Sequence, residues 1–462
     1  MPTHSDKYLE EQIQKILSVP RYPEKYYTLQ GYTYGEVYQM SLEFASLFSS
    51  MDHGDRPICL CAKNKAVIAA SLLAALFDGP PLLLPYSHSI NVLSEMHDST
   101  GFRFAVSDTD MALPEGVEVI IPELGQLPAK RLLKVETDPD RQWLMLYTGG
   151  STGTPRIWSK TVSNLLSEAL YQSRKHHFSP ADILVSTVSP YHIYGLLFSI
   201  LVPLVSSACV IDEICAFPNE IITAIQQHSA TILIGVPIHY RALRDHPITG
   251  NSLNMAFSST GALAEEDGSD FFRQNGVGII EIYGSTETGG IASRCRSKGE
   301  TGFTVFDDIK WKIKDQRLYI RSGFISPEIK TDKNGFYKTD DRVMPEGENG
   351  FVILGRSDAV IKVAGKRVDM EEIRDKLRKI AGVRDSVVIS IFIGKGRENA
   401  IAAVIEGSPD KAELRKALSS LLEPYAIPRV IRIVDQIPST PSGKHDREAI
   451  EQMFRAEFYG LR

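Results

Sequence analysis

A chain of 462 residues is too long for one ordinary core, so two or more domains are expected. Hydrophobic content of 43% and charged content of 23% fit a globular chain and exclude a disordered or collagenous one. A net charge of −6 argues against nucleic acid as the main partner.

The opening "MPTHSDKYLEEQIQKIL" is polar and reads as a short amphipathic helix rather than a secretory leader. Cys59 and Cys61, in "PICLCAK", are spaced as same-face neighbours on a strand rather than as a metal-binding CxxC. Buried thiols in a reducing compartment follow, and the chain is placed in the cytoplasm. "KAVIAASLLAALF" predicts a helix and "FRFAVSD" a strand. "SNLLSEALYQSRK" and "PNEIITAIQQHS" predict helices; "ILVSTV", "ACVIDE", "TILIGVP" and "VGIIEIYG" predict strands. Between them, "YGLLFSILVPLVSSACVI" (194–211) carries no charge and is nearly long enough to cross a bilayer. Pro203 and the serines interrupt it, so it reads as a buried helix leading into a buried strand, with no transmembrane segment expected. Such alternation predicts an α/β fold: a large multi-layer N-terminal domain with mixed and parallel sheets.

The pattern changes near Gly355. "VIKVAG", a helix from Asp369 with Ile373, Leu377 and Ile380 on one face, "SVVISIFIG", "AIAAVIEG" and a helix from Asp410 predict a small α+β C-terminal domain. The predicted division is therefore 1–354 and 355–462. The C-terminal part holds 20 Lys+Arg against 16 Asp+Glu, a net of +4, which leaves −10 for the rest. A basic small domain suggests a meeting with anions; an ordinary solvated surface explains the same counts.

The stretch "YTGGSTGTPR", Tyr147 to Arg156, packs three glycines, a serine and three threonines into ten residues. It fails the P-loop pattern, since Thr154 follows Gly149 by five and Pro155 follows Gly150 by five. No GxGxxG is present either. What remains is a run of unobstructed backbone N–H groups with hydroxyl donors and a cation, which suits a polyphosphate.

The motifs that follow in order are "PYHIYG" (190–195), "YGSTE" (283–287), "YKTDD" (337–341), "GRSDAVIKVAGKRVDMEEI" (355–373) and "PSTPSGKHDR" (438–447). With them the sequence resembles the adenylate-forming superfamily of acyl- and aryl-CoA synthetases, peptide-synthetase adenylation domains and luciferases. The resemblance runs from about Thr33 to Arg447.

The resemblance implies ATP and Mg2+ as cofactors and gives each motif a role. Thr148, Gly149, Gly150, Ser151, Thr152, Gly153, Thr154 and Arg156 would embrace the β- and γ-phosphates. Thr286 would touch the α-phosphate and Glu287 would hold the metal. Tyr283 would stack on adenine, with Gly284 beside it and Thr260, Gly261 and Ala262 along the base edge. Asp341 would accept both ribose hydroxyls, supported by Arg356. Lys444 would be the mobile catalytic lysine and Asp358 the hinge, making the small domain mobile. Lys362 and Gly365 would line the thiol tunnel, where a glycine permits close approach of a thin pantetheine arm. Three positions depart from the pattern: Gly149 replaces a usual serine, Arg156 a usual lysine, and Asp340 a usual glycine.

The substrate pocket implied by position comprises His192, Val236, Ser258, Gly284, Gly289 and Ile291. His192 stands where amino-acid-activating relatives keep an aspartate, so an acid without an α-amine is expected. The segment "PRIWSKTVSNLLSEA" is similar to stand-alone ligases that load aromatic acids onto carrier proteins. This favours an aryl acid such as a hydroxybenzoate, with a medium- or long-chain acyl acid as the alternative. The thiol would come from an acyl carrier protein or CoA. A luciferase-like oxygenase and a non-catalytic ATP-binding relic are the readings from other classes.

Overall fold

The computed structural model describes residues 4–77, 79–121, 138–148, 156–357, 359–363, 366–393, 398–440 and 444–454. Two compact units divide the chain: 1–309 with 321–330, and 310–320 with 331–462.

The first unit contains a sheet built from β1 (Ile58–Leu60), β2 (Leu82–Leu84), β3 (Phe104–Val106), β4 (Glu118–Ile120), β5 (Gln142–Thr148) and β6 (Arg156–Thr161). Its order is β4-β3-β1-β2-β5-β6, parallel except for the β5–β6 hairpin. The helix Lys65–Leu76 is buried along its whole length, because "KAVIAASLLAAL" has no polar face to offer water. Its first turn is capped by Asn64, whose side chain accepts from the Ala66 and Val67 amides. The Cys59 and Cys61 sulfurs lie 3.6 Å apart and buried, as same-face spacing requires.

The second sheet of this unit contains β7 (Ile183–Ser186), β8 (Cys209–Ile214), β9 (Ile232–Gly235), β10 (Met255–Ser258), β11 (Ile279–Ser285), β12 (Gly289–Arg294) and β13 (Phe303–Val305). Here β8, β7, β9, β10 and β11 run parallel in that order, and β12 and β13 add antiparallel. Its layers are mixed α/β, as the alternation predicted. The uncharged run 194–211 forms helix and then β8, but Pro203 does not end the helix. The segment Leu197–Leu201 widens to a π-helical register ahead of it, with the Val202 N–H donating to the Leu197 carbonyl. Pro203 then falls in the first turn of Val202–Ser206, where its missing N–H costs little. Among the described residues, no helix is long and apolar enough to cross a membrane.

The second unit holds the strands Lys310–Lys314, Arg317–Arg321, Tyr337–Glu346 and Gly350–Arg356, side by side in that order. After them, Val360–Val363 and Lys366–Asp369 pair as a hairpin. A three-stranded sheet follows, of Val383–Ile393, Glu398–Gly407 and Val430–Val434. The central strand shows period-two alternation cleanly. Ile401, Ala403 and Ile405 face a core with Ile373, Leu377, Leu414 and Leu418 from the helices Met370–Arg378 and Lys411–Leu421. Ala400, Ala402 and Val404 face a second core with Ile450 and Phe454. Both helices start as their sequences suggest, with Asp369 accepting from the Glu371 amide and Asp410 from those of Ala412 and Glu413.

Candidate active site

In the first unit, the residues expected at the nucleotide lie at the ends of β5, β10 and β11 or just after them, whereas His192 follows β7, Val236 follows β9, and Gly289 and Ile291 lie on β12. Thr148 and Arg156 are cross-strand partners at the mouth of the β5–β6 hairpin, so the glycine run is closed at its base by sheet pairing. Gly149, Gly150, Ser151, Thr152, Gly153 and Thr154 lie outside the described residues. Arg156 is exposed at that mouth.

After β10, Thr260 adopts a left-handed conformation with φ of 72°. A β-branched residue is strained there, and its hydroxyl is buried with no hydrogen-bond partner among the described residues. Its neighbours Gly261 and Ala262 are exposed. Such a strained, unpaired donor beside two small exposed residues suits a base edge approaching the backbone.

Tyr283 is half-buried on β11, its ring tilted 50° against Phe303 at 5.6 Å between centroids. The next residue has to be glycine: a Cβ at Gly284 would lie 2.3 Å from the Gly289 carbonyl oxygen across the hairpin. The turn between β11 and β12 is closed by the hydroxyls of Ser285 and Thr288, 2.8 Å apart, with the Ser285 N–H donating to Thr288 Oγ1 at 3.1 Å. That closure leaves Thr286 and Glu287 at the apex, both half-exposed. The Glu287 backbone is held from behind, its carbonyl accepting the Ser326 N–H at 2.8 Å. A carboxylate and hydroxyls form an all-oxygen donor set, which suits a hard divalent cation.

Of the expected pocket residues, Val236, Ser258 and Ile291 are buried. The Ser258 hydroxyl has no hydrogen-bond partner among the described residues. His192 is half-buried at the start of the short helix Ile193–Leu196. Gly289 has a positive φ of 67° and packs against Glu168, whose Oε2 would be 2.6 Å from an added Cβ.

Glu168 was not singled out from the sequence. It and Gln172 fall on the apolar stripe of the helix Val162–Lys175 with Leu165 and Ala169, and polar residues on such a stripe were the available signal. The Glu168 carboxylate accepts the Gly290 N–H at 2.7 Å, and burial pushes its pKa up to about 6 despite that bond and nearby Lys160. A carboxyl with a raised folded-state pKa stabilises the fold below its unfolded value near 4.5 and loses that contribution as pH rises through about 6. Glu168→Gln is therefore expected to flatten the fall in stability between those two pH values. Denaturant midpoints measured across that window check it, and an unchanged slope would assign the dependence to other groups.

A cavity of about 710 Å3 lies elsewhere in this unit, at the carboxyl ends of β1 and β3, lined in part by Lys63, Asn64, His88, Asp108, Tyr191 and Asp212. Asp108 and Asp212 there accept backbone N–H groups at the start of the helix Lys65–Leu76. None of the residues assigned above to nucleotide or metal lines it.

In the second unit, Asp341 and Arg356 are cross-strand partners in the register of Tyr337–Glu346 with Gly350–Arg356. Asp340 does more than add charge beside them. It is ion-paired with Arg317 at 3.0 Å and with Arg356 at 3.7 Å, so two guanidiniums offset it. Lys444 is exposed, and its carbonyl accepts both the N–H and the hydroxyl of Thr440, at 2.7 and 3.2 Å. Beyond it, His445 bonds Asp385 at 3.1 Å. Lys444 is thus tied through its carbonyl to Thr440. Lys362 sits opposite Arg367 in the short hairpin. Asp358 and Gly365 lie outside the described residues.

Residues 17–321 match the AMP-binding enzyme family, and residues 372–444 match the C-terminal domain of AMP-binding enzymes. The chain belongs to the AMP-binding enzymes. This AMP-binding enzyme is 26% identical over 400 residues to the sulfoacetate–CoA ligase of Cupriavidus necator, covering 79% of this chain and 78% of the relative. It is also 26% identical over 346 residues to the benzoate–CoA ligase of Thauera aromatica, covering 67% and 66%. Its fold is that of the ATP-bound MatB from Rhodopseudomonas palustris, with a TM-score of 0.83 at 19% identity over 97% of this chain and 99% of that one. O-succinylbenzoate coenzyme A synthetase from Bacillus subtilis, in complex with ATP and magnesium, superposes with a TM-score of 0.78 at 19% identity, covering 96% and 99%.

Proposed function

We propose that this AMP-binding enzyme is an AMP-forming acid–thiol ligase. It uses ATP and Mg2+ to convert a carboxylic acid to an acyl-adenylate, and then passes the acyl group to a phosphopantetheine thiol. The observation that carries the reading is the β11–β12 turn, which presents Thr286 and Glu287 beside Tyr283, with the Thr260 hydroxyl, unpartnered among the described residues, on the neighbouring β10 loop. Kinship with CoA ligases supports it.

In the first half-reaction a carboxylate oxygen of the acid attacks the α-phosphorus, and the bond to the pyrophosphate oxygen breaks. Two anions are brought together, so cations that act in the transition state are what catalysis needs. The glycine run and Arg156 hold the β- and γ-phosphates. Thr286 donates to the α-phosphate, Asp341 accepts from the ribose hydroxyls, and Lys444 stabilises the charge developing during attack. Glu287 would hold the magnesium ion, which supplies positive charge against the phosphates. In the second half-reaction the thiolate attacks the acyl carbonyl and AMP leaves. The hairpin bearing Lys362 and Gly365 guides the pantetheine arm, after rotation of the C-terminal part at Asp358.

The favoured substrate is an aryl acid such as a hydroxybenzoate. His192 rather than a carboxylate at its position supports an acid lacking an α-amine, since a buried ammonium needs a partner. Acid-dependent exchange of labelled pyrophosphate into ATP, run across hydroxybenzoates, benzoate, short sulfonated acids and medium-chain fatty acids, tests it. Exchange with fatty acids alone would discard the aryl reading, and no exchange with any acid would discard the ligase.

An acyl carrier protein is the favoured thiol donor, because such carriers are acidic and the C-terminal part is basic. The side chains differ in what they offer. Arg374 and Arg378 approach Asp385 at 3.8 and 3.7 Å, and Lys376 pairs with Glu372 at 2.7 Å, so part of the charge is balanced locally. Lys366 and Lys379 are exposed. Lys366→Glu with Lys379→Glu is expected to slow transfer to a carrier while leaving adenylation unchanged. The parent's carrier rate is expected to drop with salt as the Debye length shrinks from ~10 Å at 0.1 M to ~3 Å at 1 M. Efficient CoA thioester formation with no response to charge reversal would make CoA the acceptor.

A further inference from the structure

Lys160 is a lysine with 1% of its surface exposed, on a strand next to the start of a helix, and the steps above give it no part. Its ammonium donates to the Phe324 carbonyl at 2.9 Å and to the Glu287 carbonyl at 3.4 Å. Burial pulls its pKa down to about 8, while the carboxylates of Glu168, Glu287 and Glu328 favour the charged form. Burying an ammonium this fully is costly unless its protons are taken up, and here backbone oxygens take them.

The bonds around it are concentrated on one short segment. The Ser159 N–H donates to Glu328 Oε1 at 2.9 Å, and Asn164 Nδ2 donates to the Gly323 carbonyl. The Ser326 N–H donates onward to the Glu287 carbonyl at 2.8 Å. Residues 323–328 therefore form a strap fixed on one side to β6 and the helix after it, and on the other to the β11–β12 turn. Lys160 spans both attachments directly. At its other end, β6 begins with Arg156, at the mouth of the glycine run.

We infer that Lys160 is a positioning residue: it ties the strand leaving the glycine run to the turn bearing Thr286 and Glu287, and so sets where the metal-binding carboxylate stands. This rests on the proposal that Glu287 holds magnesium. The lysine donates to the backbone oxygens of Phe324 and Glu287, so it acts through the turn they hold. Loss of the tie lets the turn relax, so the metal binds more weakly at unchanged ATP binding. Residues that orient metal ligands from behind typically change metal affinity about 10- to 100-fold when removed.

The decisive variant is Lys160→Met combined with Glu168→Gln, which removes the ammonium without stranding its carboxylate neighbour. Adenylate formation is measured by pyrophosphate exchange over a magnesium titration at saturating ATP, with thermal unfolding as the check on folding. The magnesium concentration for half-maximal rate is expected to rise about ten-fold, with a smaller loss of maximal rate at saturating metal. Lys160→Arg keeps the charge and the donors and is expected to recover part of the shift. A folded double variant with the parent's magnesium response overturns the inference, as does a fall in the maximal rate at saturating metal that exceeds the shift in the half-maximal magnesium concentration. If neither variant folds, Lys160 serves the core alone and the inference is likewise overturned. Glu287→Gln separates the two levels: an unchanged magnesium response there refutes the metal assignment, whereas a large shift there with none in the Lys160 variants refutes the tie alone.

Discussion

Lys444→Ala is expected to slow acyl-adenylate formation at least about a hundred-fold, equivalent to losing about 3 kcal/mol of transition-state stabilisation. The side chain is exposed, and the Lys444 carbonyl accepts the N–H and the hydroxyl of Thr440, bonds that alanine retains. The variant therefore keeps its fold, and the loss reports the missing ammonium. In the proposed cycle this charge matters while the acid's carboxylate approaches the α-phosphate, and not when a neutral acyl carbonyl meets a thiolate. Supplied with preformed acyl-adenylate, Lys444→Ala is expected to make thioester at close to the parent's rate. Single-turnover measurement of each half-reaction separates the two. Equal loss in both would mean that the lysine serves the protein in some way common to both states.

What was legible in the sequence was local. "YGSTE" stands out as a motif, and the structure gives the reason for its small residues: Gly284 lies against the Gly289 carbonyl, while the hydroxyls of Ser285 and Thr288 close the loop. The alternating strand Glu398–Gly407 and the caps at Asp369 and Asp410 were equally readable, since period and capping depend on neighbours a few residues apart. Long-range pairing was not readable. Lys160 finds its acceptors 127 and 164 residues further on, and nothing in "RIWSKT" points to them. Asp340 is a similar case. By composition alone it adds a negative charge beside the residues expected to hold ribose, but Arg317, 23 residues away on an adjacent strand, pairs with it. The departure from the family pattern is thus compensated within the strands that carry it.

Asp358→Pro is expected to leave adenylation near the parent's rate and to suppress thioester formation about ten-fold or more, because proline fixes φ and removes an N–H at the proposed pivot. The flanking bonds set the context. Before it, the Ser357 N–H donates to the Asp340 carbonyl at 2.8 Å; after it, the Met370 N–H donates to the Ala359 carbonyl at 3.0 Å. Rotation that carries Lys444 away and brings the Lys362 hairpin to the thiol would then have to be absorbed by very few backbone dihedrals, with Asp358 at their centre. Asp358→Ala is the control, since alanine removes the carboxylate but leaves φ free, and it is expected to support both half-reactions. If Asp358→Pro makes thioester as fast as the parent, the pivot lies elsewhere. If Asp358→Ala loses thioester formation as well, the carboxylate itself acts in the second half-reaction, and backbone rotation is not what the position provides.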